Sequence, residues 1–499
     1  MGAKSIMVQG TTSFSGKTFL VMALCRIFAD MGIKVAPFKS QNTSLNSFAT
    51  KDGKEISRAQ ALQALAARVE PSSDMNPILV KPKGDSRSQI MVNGRPYKDI
   101  EARRYYEDFA IKEGIRIVKN AFSRLKKQYE LIVIEGAGSP AEINLYDKDI
   151  ANMKVAEITD SPVILVADID RGGVFASIYG TINLLKGEDK ERLKGIVINK
   201  FRGDIEILKP GIEMIEEMVG KPVLGVMPYI IDLRLPDEDS ISLERPKTMS
   251  SGDTDIAVIR LPRISNFTDF DPLLLDGANV RYVERPEDLG NPDAVIIPGT
   301  KNTVEDLLWL KSQGFDGLIK KLGTSTPIIG VCGGYQMLGK KIIDDGIEGD
   351  LEEVEGLGLL DVETRFSHYE KMTKQAFGTI VLDRGIFEGA GGTRVSGYEI
   401  HMGNTTTGED AVPVLDIEGI KEGASDARGL VFGTYFHGIF DTSEFRKLFI
   451  KNLDKKTKKR GATTSKNIDK IWMDDIRRAS KVVSDSIDMD RLIEIIGGV

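Results

Sequence analysis

Gly10-Thr-Thr-Ser-Phe-Ser-Gly16-Lys17-Thr18 stands between an apolar stretch, Ser5–Gln9, and a segment, Lys17–Phe28, that sets Leu20, Leu24, Ile27 and Phe28 on one helical face. A strand, a glycine-bounded loop and a helix in immediate succession line up backbone N–H groups that cradle phosphate oxygens, aided by the positive end of the helix dipole. Lys17 then reaches the outer phosphates, and the Thr18 hydroxyl is placed to ligate Mg²⁺. The strict form of such a loop has glycine where this chain has Thr11, so the loop is a one-residue variant. A nucleoside triphosphate, ATP or GTP, is expected at Thr11, Gly16, Lys17 and Thr18.

The neighbouring segments supply what that loop needs. Leu131–Ile134 reads as a buried strand running into Glu135-Gly-Ala-Gly-Ser-Pro140. A carboxylate at the carboxyl end of a strand beside the phosphate loop is where Mg²⁺ takes a second protein contact, so Glu135 joins Thr18 as an expected metal ligand. Lys39 ends the next strand, in Ala36-Pro-Phe-Lys39, and faces the same phosphates. Asn199, closing the strand Gly195–Asn199, resembles the base-reading Asn of related nucleotide hydrolases. Ser57 caps an alanine-rich helix over Arg58–Arg68, and Val163–Ala167 and Val223–Val226 complete the buried strands. Alternating strands and helices predict an α/β fold, a doubly wound parallel sheet with helices on both faces.

A polar stretch from Pro236 to Asp253 reads as a linker, and the βα rhythm restarts at Asp255–Arg260, Val280–Glu284, Ala294–Ile297 and Pro327–Val331. The last of these strands leads into Gly330-Val-Cys332-Gly-Gly334, a nucleophile elbow whose following helix points its N-terminus at the thiol and favours thiolate. The Gly333 N–H is one oxyanion donor, and the Pro298-Gly299-Thr300 turn supplies another. A general base must be a histidine, and of the three present (His368, His401, His437) the strand-ending His437 fits best. Cys25 reads as a small core residue. Beyond Lys455-Lys-Thr-Lys-Lys-Arg460, a solvated basic connector, Ile468, Trp472, Ile476, Ala479, Val483 and Ile487 recur at helical spacing. They predict one or two amphipathic helices packed on the second domain. The resulting division is 1–235, a nucleotide-binding synthetase domain; 236–252, linker; 253–452, a thiol-containing α/β domain; and 453–499, a helical tail.

Composition narrows the class. In 499 residues, 41% are hydrophobic and 28% charged, as in ordinary globular proteins. A net charge of −7 argues against non-specific nucleic-acid binding and against attachment to anionic lipid. No apolar run approaches the roughly 18–20 residues of a membrane helix. Two distant cysteines form no disulfide framework or four-cysteine zinc site. A soluble protein of a reducing compartment, the cytoplasm, is expected.

The phosphate loop resembles that of dethiobiotin synthetase and its relatives, which activate a carboxylate by phosphorylation; partition ATPases carry an extra lysine where this chain has Thr12. The Cys332 elbow resembles class I glutamine amidotransferases, of flavodoxin-like fold. Most of those continue His-x-Glu, whereas here Gly438 and Ile439 follow His437, leaving the third member of the triad unassigned and the role of Asp441 open. That departure is shared by the cobyrinic and cobyric acid synthases, which work with a Cys–His pair. Gln336, in Cys-Gly-Gly-Tyr-Gln, and Gly397-Tyr-Glu-Ile-His-Met-Gly403 fit the same group, with Gln336 counted among the glutamine-site residues. Ala36-Pro-Phe-Lys-Ser-Gln-Asn42, Glu135-Gly-Ala-Gly-Ser-Pro-Ala-Glu-Ile-Asn-Leu145 and Val166-Ala-Asp-Ile-Asp-Arg-Gly-Gly-Val-Phe175 extend the likeness to the cobyric acid branch over nearly the whole chain.

The resemblance implies an ATP- and Mg²⁺-dependent carbon–nitrogen ligase with glutamine as ammonia donor. It would amidate the b, d, e and g carboxylates of adenosylcobyrinic acid a,c-diamide in cobalamin biosynthesis. Cobyrinic acid a,c-diamide synthase, or an amidotransferase ligase of another pathway, is the alternative. A polyanionic corrinoid needs local positive charge, for which Lys81, Lys83, Arg87, Arg171, Lys200 and Arg202 are candidates.

Overall fold

The computed structural model describes residues 2–84, 86–236, 253–348, 353–457 and 466–498. The expected linker beyond residue 236 and most of the basic connector lie outside the described residues. Six parallel strands form the first sheet, in the order Val223–Pro228, Leu193–Phe201, Val163–Asp168, Lys4–Gly10, Leu131–Glu135 and Val35–Phe38. Apart from the edge strand Val223–Pro228, their runs of Val, Ile and Leu are buried on both faces, as a parallel sheet covered by helices requires. Lys4–Gly10 is central, with the chain wound to one side and then to the other, so the carboxyl ends of the middle strands open a crevice. The phosphate loop lies there, between that strand and the helix Lys17–Asp30.

A smaller sheet, Gln41–Thr43, Ile78–Pro82, Arg87–Val92 and Arg95–Glu101, and a hairpin, Ser47–Ala49 with Glu55–Ser57, grow from this domain toward the second one. In the second domain, five parallel strands run in the order Asn279–Val283, Asp255–Ile259, Ala294–Ile297, Ile328–Val331 and Val431–Thr434, with Ala424–Ser425 antiparallel at the edge. A separate antiparallel sheet includes Met372–Ile380, Arg394–His401 and the short strand Phe436–His437.

The tail departs from the sequence expectation. Its helices, Ile468–Ser486 and Met489–Ile496, pack on the first domain. Ile476 and Ala479 meet Met22 and Ala66, while Val483, Ile487, Leu492 and Ile496 join the cluster of Leu20, Leu24 and Leu224. Arg234 pairs with Asp475 at 2.9 Å. Periodicity names an apolar face but not its partner, and the partner is the outer side of Lys17–Asp30 together with the edge strand Val223–Pro228. Gly225 makes that approach possible, since a Cβ there would stand 2.0 Å from the Ser486 carbonyl oxygen.

Candidate active sites

At the phosphate loop, Gly16 adopts φ 105°, and a Cβ on it would meet Asn199 Nδ2 at 2.0 Å, so the turn needs glycine. Lys17 opens the helix and donates to the carbonyl oxygens of Thr12 and Gly138, both at 2.9 Å, which holds its ammonium across the mouth of the loop. The Thr11 N–H donates to Val166 O at 3.0 Å, fixing the start of the loop on the neighbouring strand. Asn199 Nδ2 donates to Ser15 O at 2.8 Å, so this side chain braces the loop from below.

Glu135 collects the remaining groups. Its buried carboxylate accepts from Thr18 Oγ1 at 2.8 Å and from Lys39 Nζ at 2.8 Å, and Gln63 of the helix Arg58–Ala66 donates to its second oxygen. A hydroxyl and a carboxylate side by side beneath the loop are the oxygen donors that Mg²⁺ combines with nucleotide phosphates. Gln63 was not singled out by sequence; it belongs to the capped helix, and its face toward Glu135 emerges only from packing. Cys25, on the same first helix, is fully buried, and burial followed by the Glu135 charge pushes its thiol pKa well up, as a core residue requires.

Cys332 joins the strand Ile328–Val331 to the helix Gly333–Leu338 with φ 52° and ψ −111°, a strained conformation for a residue with a side chain. The strand and helix leave its sulfur at the carboxyl end of the sheet. Gly299 lies alongside, where a Cβ would approach Cys332 Cβ to 3.5 Å, and Gly333 begins the helix beneath Thr300. Gln336 lines the same cavity, with its amide committed to the protein: Oε1 accepts from Thr303 at 2.9 Å, and Nε2 donates to Met402 O and Tyr435 Oη.

The Cys332 thiol donates to Ile400 O at 3.5 Å, while His437 is 1% exposed and stacked on Tyr398 with ring centroids 5.1 Å apart. Its Nδ1 lies 2.6 Å from Asp269 Oδ2. Burial works against the charged imidazole, but the Asp269 carboxylate and then Cys332 outweigh it and raise the pKa to about 10. The carboxylate on His437 thus comes from Asp269, while Gly438 and Ile439 follow the histidine in sequence. Asp441, half-buried and pushed up to about 7 mainly by desolvation, forms no hydrogen bond with His437 among the described residues. Of the other histidines, His401 stacks on Tyr435 and is driven down to about 4, chiefly by burial, while His368 is exposed.

Asp269 escaped the sequence reading because it precedes His437 by 168 residues. The available signal was its place: Asn266-Phe-Thr-Asp269 lies in the segment beyond the carboxyl end of Asp255–Ile259, where doubly wound sheets bind ligands. The first domain holds this segment in place. Ser47 N–H donates to Asn266 Oδ1 at 2.9 Å, Thr268 Oγ1 to Asn46 Oδ1 at 3.0 Å, and Asn266 N–H to Leu45 O at 3.3 Å. Among the candidate cations, Lys81 reaches the same junction, buried on Glu55 and Ser47, while Lys83 pairs with Asp99 and Lys200 with Asp168.

Comparison with known proteins agrees with both halves. Residues 6–243 match the CobQ/CobB/MinD/ParA nucleotide binding domain, and residues 255–445 the CobB/CobQ-like glutamine amidotransferase domain. A probable cobyric acid synthase of Methanothermobacter thermautotrophicus is 50% identical over 518 aligned residues, covering 100% of each chain. One from Methanosarcina barkeri is 50% identical, again covering 100% of both, and the cobyric acid synthase of Dehalococcoides mccartyi is 48% identical over 99% of both. No helix among the described residues is long and apolar enough to cross a membrane. With this identity sustained from end to end, the chain belongs to the cobyric acid synthase family.

Proposed function

We propose that the chain catalyses ATP- and glutamine-dependent amidation of the b, d, e and g carboxylates of adenosylcobyrinic acid a,c-diamide, giving adenosylcobyric acid in the cytoplasm. The observation that carries this reading is the coexistence of two chemistries in one chain. A thiol elbow is backed by His437 and Asp269, and a phosphate loop is backed by Thr18, Glu135 and Lys39.

The thiolate of Cys332 attacks the side-chain amide carbon of glutamine, and the N–H groups at Gly333 and Gly299 receive the oxyanion. His437, held by Asp269, gives its proton to the departing ammonia and later takes one from the water that frees glutamate. Released in a buried junction, ammonia stays unprotonated and nucleophilic. At the other site the acceptor carboxylate, a poor electrophile, takes the terminal phosphoryl group of ATP, and ammonia then displaces phosphate from the acyl phosphate. Lys17 neutralises charge on the transferring phosphoryl group, while Thr11 and Gly16 shape the loop around the phosphates and Asn199 keeps it in register. Thr18 and Glu135 would hold Mg²⁺, which would offset the negative charge of the nucleotide phosphates. Lys39, already on Glu135, is placed to follow the same charge.

The direct test is incubation with cobyrinic acid a,c-diamide, ATP and glutamine labelled in its amide nitrogen. Four labelled amides in the product, at the b, d, e and g positions, are expected. Label at the a and c positions of cobyrinic acid, with none on the diamide, would overturn the assignment.

A further inference from the structure

Above Cys332 lies a small cavity that crosses from one domain to the other. Its lining includes the thiol and Gln336 together with Lys81, Lys301, Lys371 and Glu348. Two of the three lysines are neutralised: Lys81 and Lys371 share the fully buried carboxylate of Glu55. Lys301 differs. Only 7% exposed, its ammonium has no hydrogen-bond or ion-pair partner among the described residues. Burial, and then repulsion from Lys371, pulls its pKa down to about 7. A buried cation with no contact ion pair is costly, and the cost is recovered when an anion makes one. In the same lining, Glu348 accepts from the Thr303 N–H at 2.7 Å and interacts electrostatically with Lys301.

A cation and a carboxylate lining one cavity with a nucleophile match the charge pattern of an α-amino acid whose side chain carries the reacting amide. We propose that Lys301 receives the α-carboxylate of glutamine and Glu348 its α-ammonium, and that this pair selects glutamine over other primary amides. The inference rests on the glutaminase reading of Cys332. Lys301 is set for this task by its position, two residues beyond Gly299 in the turn that follows the strand Ala294–Ile297. One turn of chain thus serves both ends of the substrate, with Gly299 at the reacting amide and Lys301 at the amino-acid head.

The test compares the wild type with Lys301→Met, which keeps the length of the side chain and removes its charge. Substrates are glutamine and the amide of γ-aminobutyrate, which is glutamine without its α-carboxylate. With glutamine, kcat/KM should fall about 10- to 100-fold, mostly through KM, the scale of one lost charged hydrogen bond. With the γ-aminobutyrate amide the two proteins should be equal within about twofold, because the partner of Lys301 is already missing. Synthesis driven by added ammonium salt should persist in the variant, showing that it is folded. Glu348→Gln should show the same pattern with glutaramate, which lacks the α-ammonium. Equal losses on glutamine and the truncated amide, no loss on either, or loss of ammonia-driven synthesis would each overturn the proposal. A wild-type protein without glutaminase activity would instead overturn the reading on which it rests.

Discussion

Replacing Asp269 by Asn isolates what the carboxylate does for His437. The substitution keeps size and removes one charge from a contact of 2.6 Å in a site where Asp269 is 5% and His437 1% exposed. A hydrogen bond to a charged group in such a place contributes about 1.5–3 kcal/mol. Glutaminase kcat should therefore fall roughly 10- to 150-fold. The sign of the pH effect follows from the same contact. The carboxylate favours the protonated imidazole and, with Cys332, raises its pKa from the ordinary 6.5 to about 10 against burial; without it only Cys332 opposes burial, and the pKa falls. Because the active pair is thiolate with imidazolium, the wild type should keep its activity to strongly alkaline pH, and the variant should lose it at lower pH. The assay is glutamate release as a function of pH, with ammonia-driven amidation of the corrinoid as the control for folding. An Asp269→Asn protein with wild-type rate and an unmoved alkaline limb would refute the role given to this carboxylate.

Lys17→Ala should lower ATP-dependent amidation by about 10²-fold or more, whether glutamine or ammonium salt supplies nitrogen, because charge on the transferring phosphoryl group is left uncompensated; near-normal ATP turnover would contradict this. Cys332→Ala should abolish glutamine-driven synthesis and spare the ammonia-driven reaction, as measured by the two rates side by side; loss of both in a folded protein would contradict separate sites. Ile476→Ala should destabilise the first domain by about 2–4 kcal/mol. Its mark is a lower midpoint for thermal loss of ammonia-driven synthesis, and a lower midpoint for glutaminase alone would place the tail elsewhere.

Sequence patterns carried the framework because both central sheets are made of short apolar strands with turn signals at their ends. Leu131–Glu135, Ala294–Ile297 and Ile328–Val331 each lie within a residue of the expected bounds. Local motifs likewise carried the loop at Gly16–Thr18 and the elbow at Cys332, where the chemistry is written in neighbouring residues. Long-range pairings left no such trace. Asp269 meets His437 through a 3₁₀ turn, Phe267–Phe270, that has no periodicity to read. Gln63 on Glu135 and Lys301 on the Cys332 cavity are likewise set by how separate elements pack. The tail shows the same limit, since an amphipathic helix offers its apolar stripe to any complementary surface.

The tail also bears on the order in which the molecule is made. The last strand of the first sheet ends at Pro228, whereas the helix that covers Leu20, Leu24 and Leu224 begins at Ile468, after the whole second domain. A ribosome adding about 5–20 residues per second needs roughly 12–50 s to span the intervening stretch. During that interval the outer side of Lys17–Asp30 stays uncovered, an apolar surface open to chaperones or to neighbouring nascent chains. The second domain's strands all precede Ile468, the last onto its central sheet being Val431–Thr434, beside Ile328–Val331. The glutaminase half is thus expected to mature first and the nucleotide-binding half last, an order opposite to that in which the two are translated.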